Sequence, residues 1–97
     1  MKLTIILIPE ETGYSVICPA LPGCASQGDS LAGALANIRE AIEFSIELRQ
    51  EDGLAGPVES PAIIARAVEA CLEDRDADGL PRALETREIE VPTQVPV

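Results

Sequence analysis

The sequence predicts a two-layer α+β domain of βββα(α)β order, with a mixed four-stranded sheet in one layer and a long helix in the other. Three observations predict it. Residues 2–8 form an aliphatic, β-branched run suited to a strand. Residues from about 30 to 50 repeat aliphatic side chains at helical spacing. Residues 87–91 alternate polar and apolar, as a half-buried strand does.

Each element follows in order. In the run Lys-Leu-Thr-Ile-Ile-Leu-Ile, Leu3, Ile5 and Leu7 share one face while Thr4, Ile6 and Ile8 share the other, so this strand is expected to be central and covered on both sides. Pro9 ends it, and the polar stretch Glu10-Glu11-Thr12-Gly13 reads as a hairpin loop. Tyr14 to Cys18 is then a second strand, antiparallel because so short a connection allows nothing else. Pro19-Ala20-Leu21-Pro22-Gly23 is a kinked linker in which each proline removes a ladder donor. Cys24 to Gln27 gives a short third strand, ended by Gly28.

The helix begins at about Ser30, capped by Asp29 or Ser30, and runs to about Gln50. Leu31, Ala34, Leu35, Ile38, Ile42, Ser45, Ile46 and Arg49 make its stripe, and burial of the five large aliphatics contributes about 1.5–3 kcal/mol each before entropy is subtracted. Gly33 is a local defect worth about 1 kcal/mol against alanine. Residues 51–59 carry glycines, a proline and acids, and read as a loop. Ser60-Pro61 is a helix start, with Ile63, Ile64, Ala67, Val68, Cys71 and Leu72 as the apolar stripe of a helix ending near Asp74. Placed beside the first strand, the last strand is expected to run parallel to it after a right-handed helical crossover. Residues 1–91 thus form one domain and residues 92–97, with Pro92 and Pro96, a tail.

Composition narrows the function. Seventeen acidic residues against seven basic ones give a net charge of −10, and there is no histidine. Such a charge repels a phosphate backbone, and Tyr14 and Phe44 as the only aromatics offer little for bases to stack on, so direct nucleic-acid binding is not expected. A basic protein is the natural partner. Three cysteines, an odd and sparse count, suit a reducing compartment, and no leader or membrane-length apolar run is read from the sequence; the cytoplasm is the expected location. A 97-residue chain buries only about 60–65% of its unfolded surface, so self-association is also expected.

No residue set for catalysis is read, and no cofactor. Cys18 and Cys24 lack further soft ligands and a histidine base, and read as small buried hydrophobes. Glu40, Glu43 and Glu47 lie along one side of the long helix, either as a solvated face or as a negative stripe that docks on a basic partner. Asp74, Asp76, Asp78, Gly79 and Glu85 reproduce the spacing of a calcium loop. Pro81 at its eighth position and the extended pattern after Thr86 argue against it, leaving a cation-binding or homo-oligomeric scaffold protein as the alternative function.

One constellation is more specific. Tyr14-Ser-Val-Ile-Cys-Pro-Ala-Leu-Pro-Gly-Cys-Ala-Ser-Gln-Gly-Asp-Ser-Leu, followed by Ala34-Leu-Ala-Asn-Ile-Arg-Glu-Ala-Ile42, resembles the HicB-like antitoxin family. The likeness covers about residues 1–50 and falls on Tyr14, Pro19, Leu21, Pro22, Gly23, Gly28, Ser30, Ala34, Asn37, Arg39, Glu40 and Ala41. Ala32-Gly33 stands where the family commonly has acids, and the helix at about 60–74 is an insertion where many members pass directly to the last strand. The resemblance implies a degraded ribonuclease H-like fold that binds and occludes a small basic HicA-type toxin, an RNA-cleaving protein. Ribonuclease H chemistry needs an acid within the first strand, and Leu3 to Ile8 contains none, so a metal-dependent nuclease is disfavoured and no enzyme is expected. Many members add a C-terminal operator-binding module, for which this sequence shows no confident candidate. The expected partner-binding residues are Tyr14, Pro19, Leu21, Pro22, Gly23, Glu40, Glu43 and Glu47.

Overall fold

The computed structural model describes residues 1–73 and 83–91. Its elements are β1 (Lys2–Pro9), β2 (Tyr14–Ile17), β3 (Ala25–Gly28), α1 (Leu31–Glu51), α2 (Pro61–Glu73) and β4 (Glu85–Glu90). The order is the expected one, and each boundary falls within two residues of its sequence pattern. The sheet order is β3-β2-β1-β4, so the aliphatic opening run is central, as its two apolar faces demand.

The register of the sheet corrects one expectation. β4 pairs with β1 antiparallel, Glu85 opposite Leu7 and Glu90 opposite Lys2, so the sheet is antiparallel throughout and not mixed. A single helical pass from β3 would return the chain for a parallel partner of β1. Here α1 makes that pass, and the backbone of Thr4, near the start of β1, meets Glu59. Glu85, by contrast, lies opposite Leu7 near the other end of β1, so β4 enters from that end and runs the opposite way.

The core lies between the sheet and α1. Leu3, Ile5 and Leu7 of β1, Val16 of β2 and Ile89 of β4 present one face, against which α1 sets Ala34, Ile38, Ile42 and Ile46 at four-residue intervals. Ile6, on the opposite face of β1, is also fully buried. Ser30, not Asp29, caps α1: its Oγ accepts from the Gly33 N–H at 3.0 Å. Ser60 does the same for α2, accepting from the Ile63 N–H at 3.2 Å. No residue of α2 is buried; Ile63, Ile64, Ala67, Val68 and Cys71 are half covered, while Leu72 is exposed.

Two glycines fix how the first half closes. Gly13 takes φ +87°, and a side chain there would run into the backbone of Gly28 and Asp29. Gly28 has an unremarkable φ, yet a Cβ on it would collide with the Ala34 backbone nitrogen and lie 2.7 Å from the Gly33 carbonyl carbon. Only Asp29 and Ser30 separate β3 from α1, and so short a link brings the first helical turn directly over the strand end.

Candidate functional site

Two surfaces carry the residues singled out above. The first is the turn between β2 and β3. Cys18 N–H donates to the Cys24 carbonyl at 3.0 Å, Leu21 N–H to the Cys18 carbonyl at 3.1 Å and Cys24 N–H to the Leu21 carbonyl at 2.9 Å. These bonds take up three of the five backbone donors that residues 18–24 keep once Pro19 and Pro22 supply none. Gly23 completes the turn at φ +83°. Leu21 is 1% exposed and belongs to the core, Pro19 is half-buried, and Pro22 and Gly23 form the exposed tip; Tyr14, also half-buried, lies at the opposite end of β2, between Pro9 and Gly28, and is not brought to this turn. Val58 N–H donates to the Ala20 carbonyl at 3.2 Å, and this pins the 51–59 loop against the turn. Beside it the Glu59 carboxylate accepts from the Thr4 N–H at 2.6 Å and the Thr4 hydroxyl at 3.2 Å.

Both thiols at the base of this turn are buried. Burial, followed by the charge of the neighbouring Cys24, pushes the Cys18 thiol up from 9.0 to about 11. Burial also raises Cys24, opposed by a hydrogen bond with Ser45. Such thiols stay protonated at neutral pH and serve as apolar packing, in keeping with the reading of the two cysteines as small hydrophobes.

The second surface is the outer side of α1. Glu40 and Glu47 are exposed and Glu43 is half-buried. They border a groove of about 470 Å³, between α1 and β3, whose other walls are Ser26, Asn37, Ala41 and Phe44. Asn37 donates its side-chain amide to the Gln27 carbonyl at 2.8 Å, tying the helix to the edge strand. The sequence reading did not place Phe44 here. Its signal was present: two residues from Ile42, it sits about 200° around the helix from the buried stripe.

Asp74, Asp76 and Asp78 of the calcium-like spacing lie outside the described residues. Glu85 is in β4, paired with Arg87 at 2.6 Å. Among the described residues no three His, Cys, Asp or Glu side chains gather to hold a metal ion, and no helix is long and apolar enough to cross a membrane.

An antiparallel four-stranded sheet, packed on one helix that turns a row of glutamates outward, defines a small α+β module with an anionic face. Residues 4–80 match the family model described as HicB-like antitoxin of bacterial toxin-antitoxin systems, and the chain belongs to that family. Its members are antitoxins, binding modules and not enzymes. Among curated relatives, a UPF0150 protein of Thermoplasma acidophilum is 52% identical over 48 residues, covering 48% of this chain and 70% of the relative. A UPF0150 protein of Helicobacter pylori is 38% identical over 65 residues, covering 67% of this chain and 90% of the relative. Among solved structures, a chain of the HicA3 and HicB3 toxin-antitoxin complex superposes with a TM-score of 0.67 at 20% identity, covering 96% of this chain and all of that one. The N-terminal domain of the Burkholderia pseudomallei antitoxin HicB gives a TM-score of 0.58 at 22% identity, with 94% and 100% covered. These likenesses establish the shared fold.

Proposed function

We propose that this chain is an antitoxin module that binds a basic, RNA-cleaving HicA-type toxin directly and neutralises it by covering its surface. The observation that carries the proposal is the anionic outer side of α1 in a member of an antitoxin family whose net charge is −10. A field of that sign accelerates encounter with a cationic partner and selects against anionic ones. Likeness to a chain of a HicA3–HicB3 complex supports the partner's class. Glu40, Glu43 and Glu47 supply the charge, and Pro22 and Gly23 the exposed tip of a second contact; Pro19 and the buried Leu21 hold that tip in shape, while Tyr14, at the other end of β2, is a separate candidate contact. The acid-free first strand supports reading the scaffold as a ribonuclease H-like core without its chemistry. The protein works in the cytoplasm without contacting nucleic acid, and the half-covered face of α2 supports self-association.

The test mixes the purified chain with the product of the adjacent gene, which the proposal requires to be a HicA-type protein. At low salt, gel filtration should give a single complex, and RNA cleavage should fall in proportion to the antitoxin added. Separate elution of the two proteins, with cleavage undiminished, would count decisively against the proposal. Gel filtration of the chain alone over a range of concentrations reads its self-association, and a monomer throughout would remove that part.

A further inference from the structure

The chain has one phenylalanine, and the fold leaves it outside. Phe44 is 60% exposed on α1, and Leu48, one turn further along the same side, is 43% exposed. An aromatic ring held in water forgoes a large burial energy, in a domain whose core is otherwise aliphatic and contains no second phenylalanine. The core has no need of the ring, because Ile38, Ile42 and Ile46 already fill the helix-to-sheet space with essentially no exposure.

What surrounds the ring indicates its partner. Glu40 and Glu47 lie on adjacent turns, Ala41 leaves a small-residue gap beside it, and Ser26 of β3 forms the opposite bank. The amide of Asn37 donates to the Gln27 carbonyl of the edge strand and so fixes the wall of the groove against β3. An apolar anchor ringed by carboxylates fits a surface that offers a hydrophobic socket with lysine or arginine around it. It does not fit a second copy of the same anionic face, which would set glutamate against glutamate. Resting on the antitoxin reading above, we infer that Phe44 is the anchor of the toxin-binding surface, inserting into an apolar socket of the cationic partner while Glu40 and Glu47 pair with the basic residues at its rim.

The experiment is a titration of the full chain with the HicA-type protein, by calorimetry and by stopped-flow mixing across a range of salt. Phe44→Ala, a change at an exposed position, should leave the thermal melt intact and weaken binding by at least about tenfold, mainly through faster dissociation. Glu40→Gln with Glu47→Gln should slow association and flatten its salt dependence. Glu88→Gln with Glu90→Gln, on the far edge strand, is the charge-matched control and should do neither. If the wild-type chain fails to bind, the antitoxin reading itself falls. If the wild type binds and Phe44→Ala binds equally well, that reading stands and the anchor is overturned. Loss of a homo-oligomer in Phe44→Ala with unchanged toxin affinity would assign the groove to a second copy and overturn it as well.

Discussion

Replacing Gly28 by alanine isolates one steric contact, because Gly28 does not take a positive φ and alanine can adopt its backbone conformation. The added methyl meets the backbone of α1 at Gly33 and Ala34, which no side-chain rotation can move aside. Overpacking of this kind costs about 1–3 kcal/mol, and a backbone obstacle places the cost near the upper end. Against it stands the reduced freedom of the unfolded chain, which favours alanine by about 0.4–1 kcal/mol. The net expectation is a loss of about 2 kcal/mol, or a fall in melting temperature of about 8–16 °C for a domain of this size. Gly56 supplies the control: no atom lies within 4 Å of its hypothetical Cβ and its φ is not positive. Gly56→Ala should therefore stabilise by a few tenths to about 1 kcal/mol, the opposite sign from the same chemical change. Urea unfolding followed by circular dichroism measures both. If Gly28→Ala proves as stable as the wild type, the close approach of β3 and α1 is not a constraint on the fold.

Further outcomes follow from the same geometry. Ser30→Ala removes the acceptor for the Gly33 N–H and should cost about 1 kcal/mol in the same unfolding assay, with Ser30→Asp restoring most of it. Glu59→Ala strips the Thr4 N–H of a charge-assisted bond and should cost about 1 kcal/mol while increasing proteolysis in the 51–59 loop; an unchanged cleavage pattern would refute the tether. The thiols predict an alkaline effect. The native Cys18 holds its proton to about pH 11 whereas an unfolded thiol releases it near 9.0, so native stability should decline as pH rises between those values and be flat below them. The full loss is about 3 kcal/mol. A Cys18→Ala, Cys24→Ala variant should show a shallower decline over that window, measured by urea midpoints at successive pH values.

Much of this was legible because the signals were local. The aliphatic run in β1, the Ser30 and Ser60 caps and the four-residue repeat of α1 each prescribe their element from neighbours in sequence. The direction of β4 was not, because a strand has no local mark of polarity relative to a distant partner; it is set by the end of β1 at which the chain arrives, near Leu7 for Glu85. The glutamates of α1 were readable as an outward row by helical spacing, whereas the groove beside them needed β3 in three dimensions. Ser26 and Phe44 lie eighteen residues apart in the chain and become neighbours only through the close approach at Gly28.

That dependence links the fold to its surface. α1 has its inward side committed to the core by Ala34, Ile38, Ile42 and Ile46, leaving substitutions on the outward side almost free of stability cost. The outward side is nonetheless not a generic solvated helix, for it combines repelling glutamates with the only phenylalanine of the chain. Glu43 and Glu47, one turn apart, disfavour the isolated helix by a few tenths of a kcal/mol, and the ring of Phe44, 60% exposed, leaves most of its burial energy unused. Two features that the folded chain does not need, placed together on a face held rigid by a steric lock at Gly28, are what the proposed cationic partner would cover together.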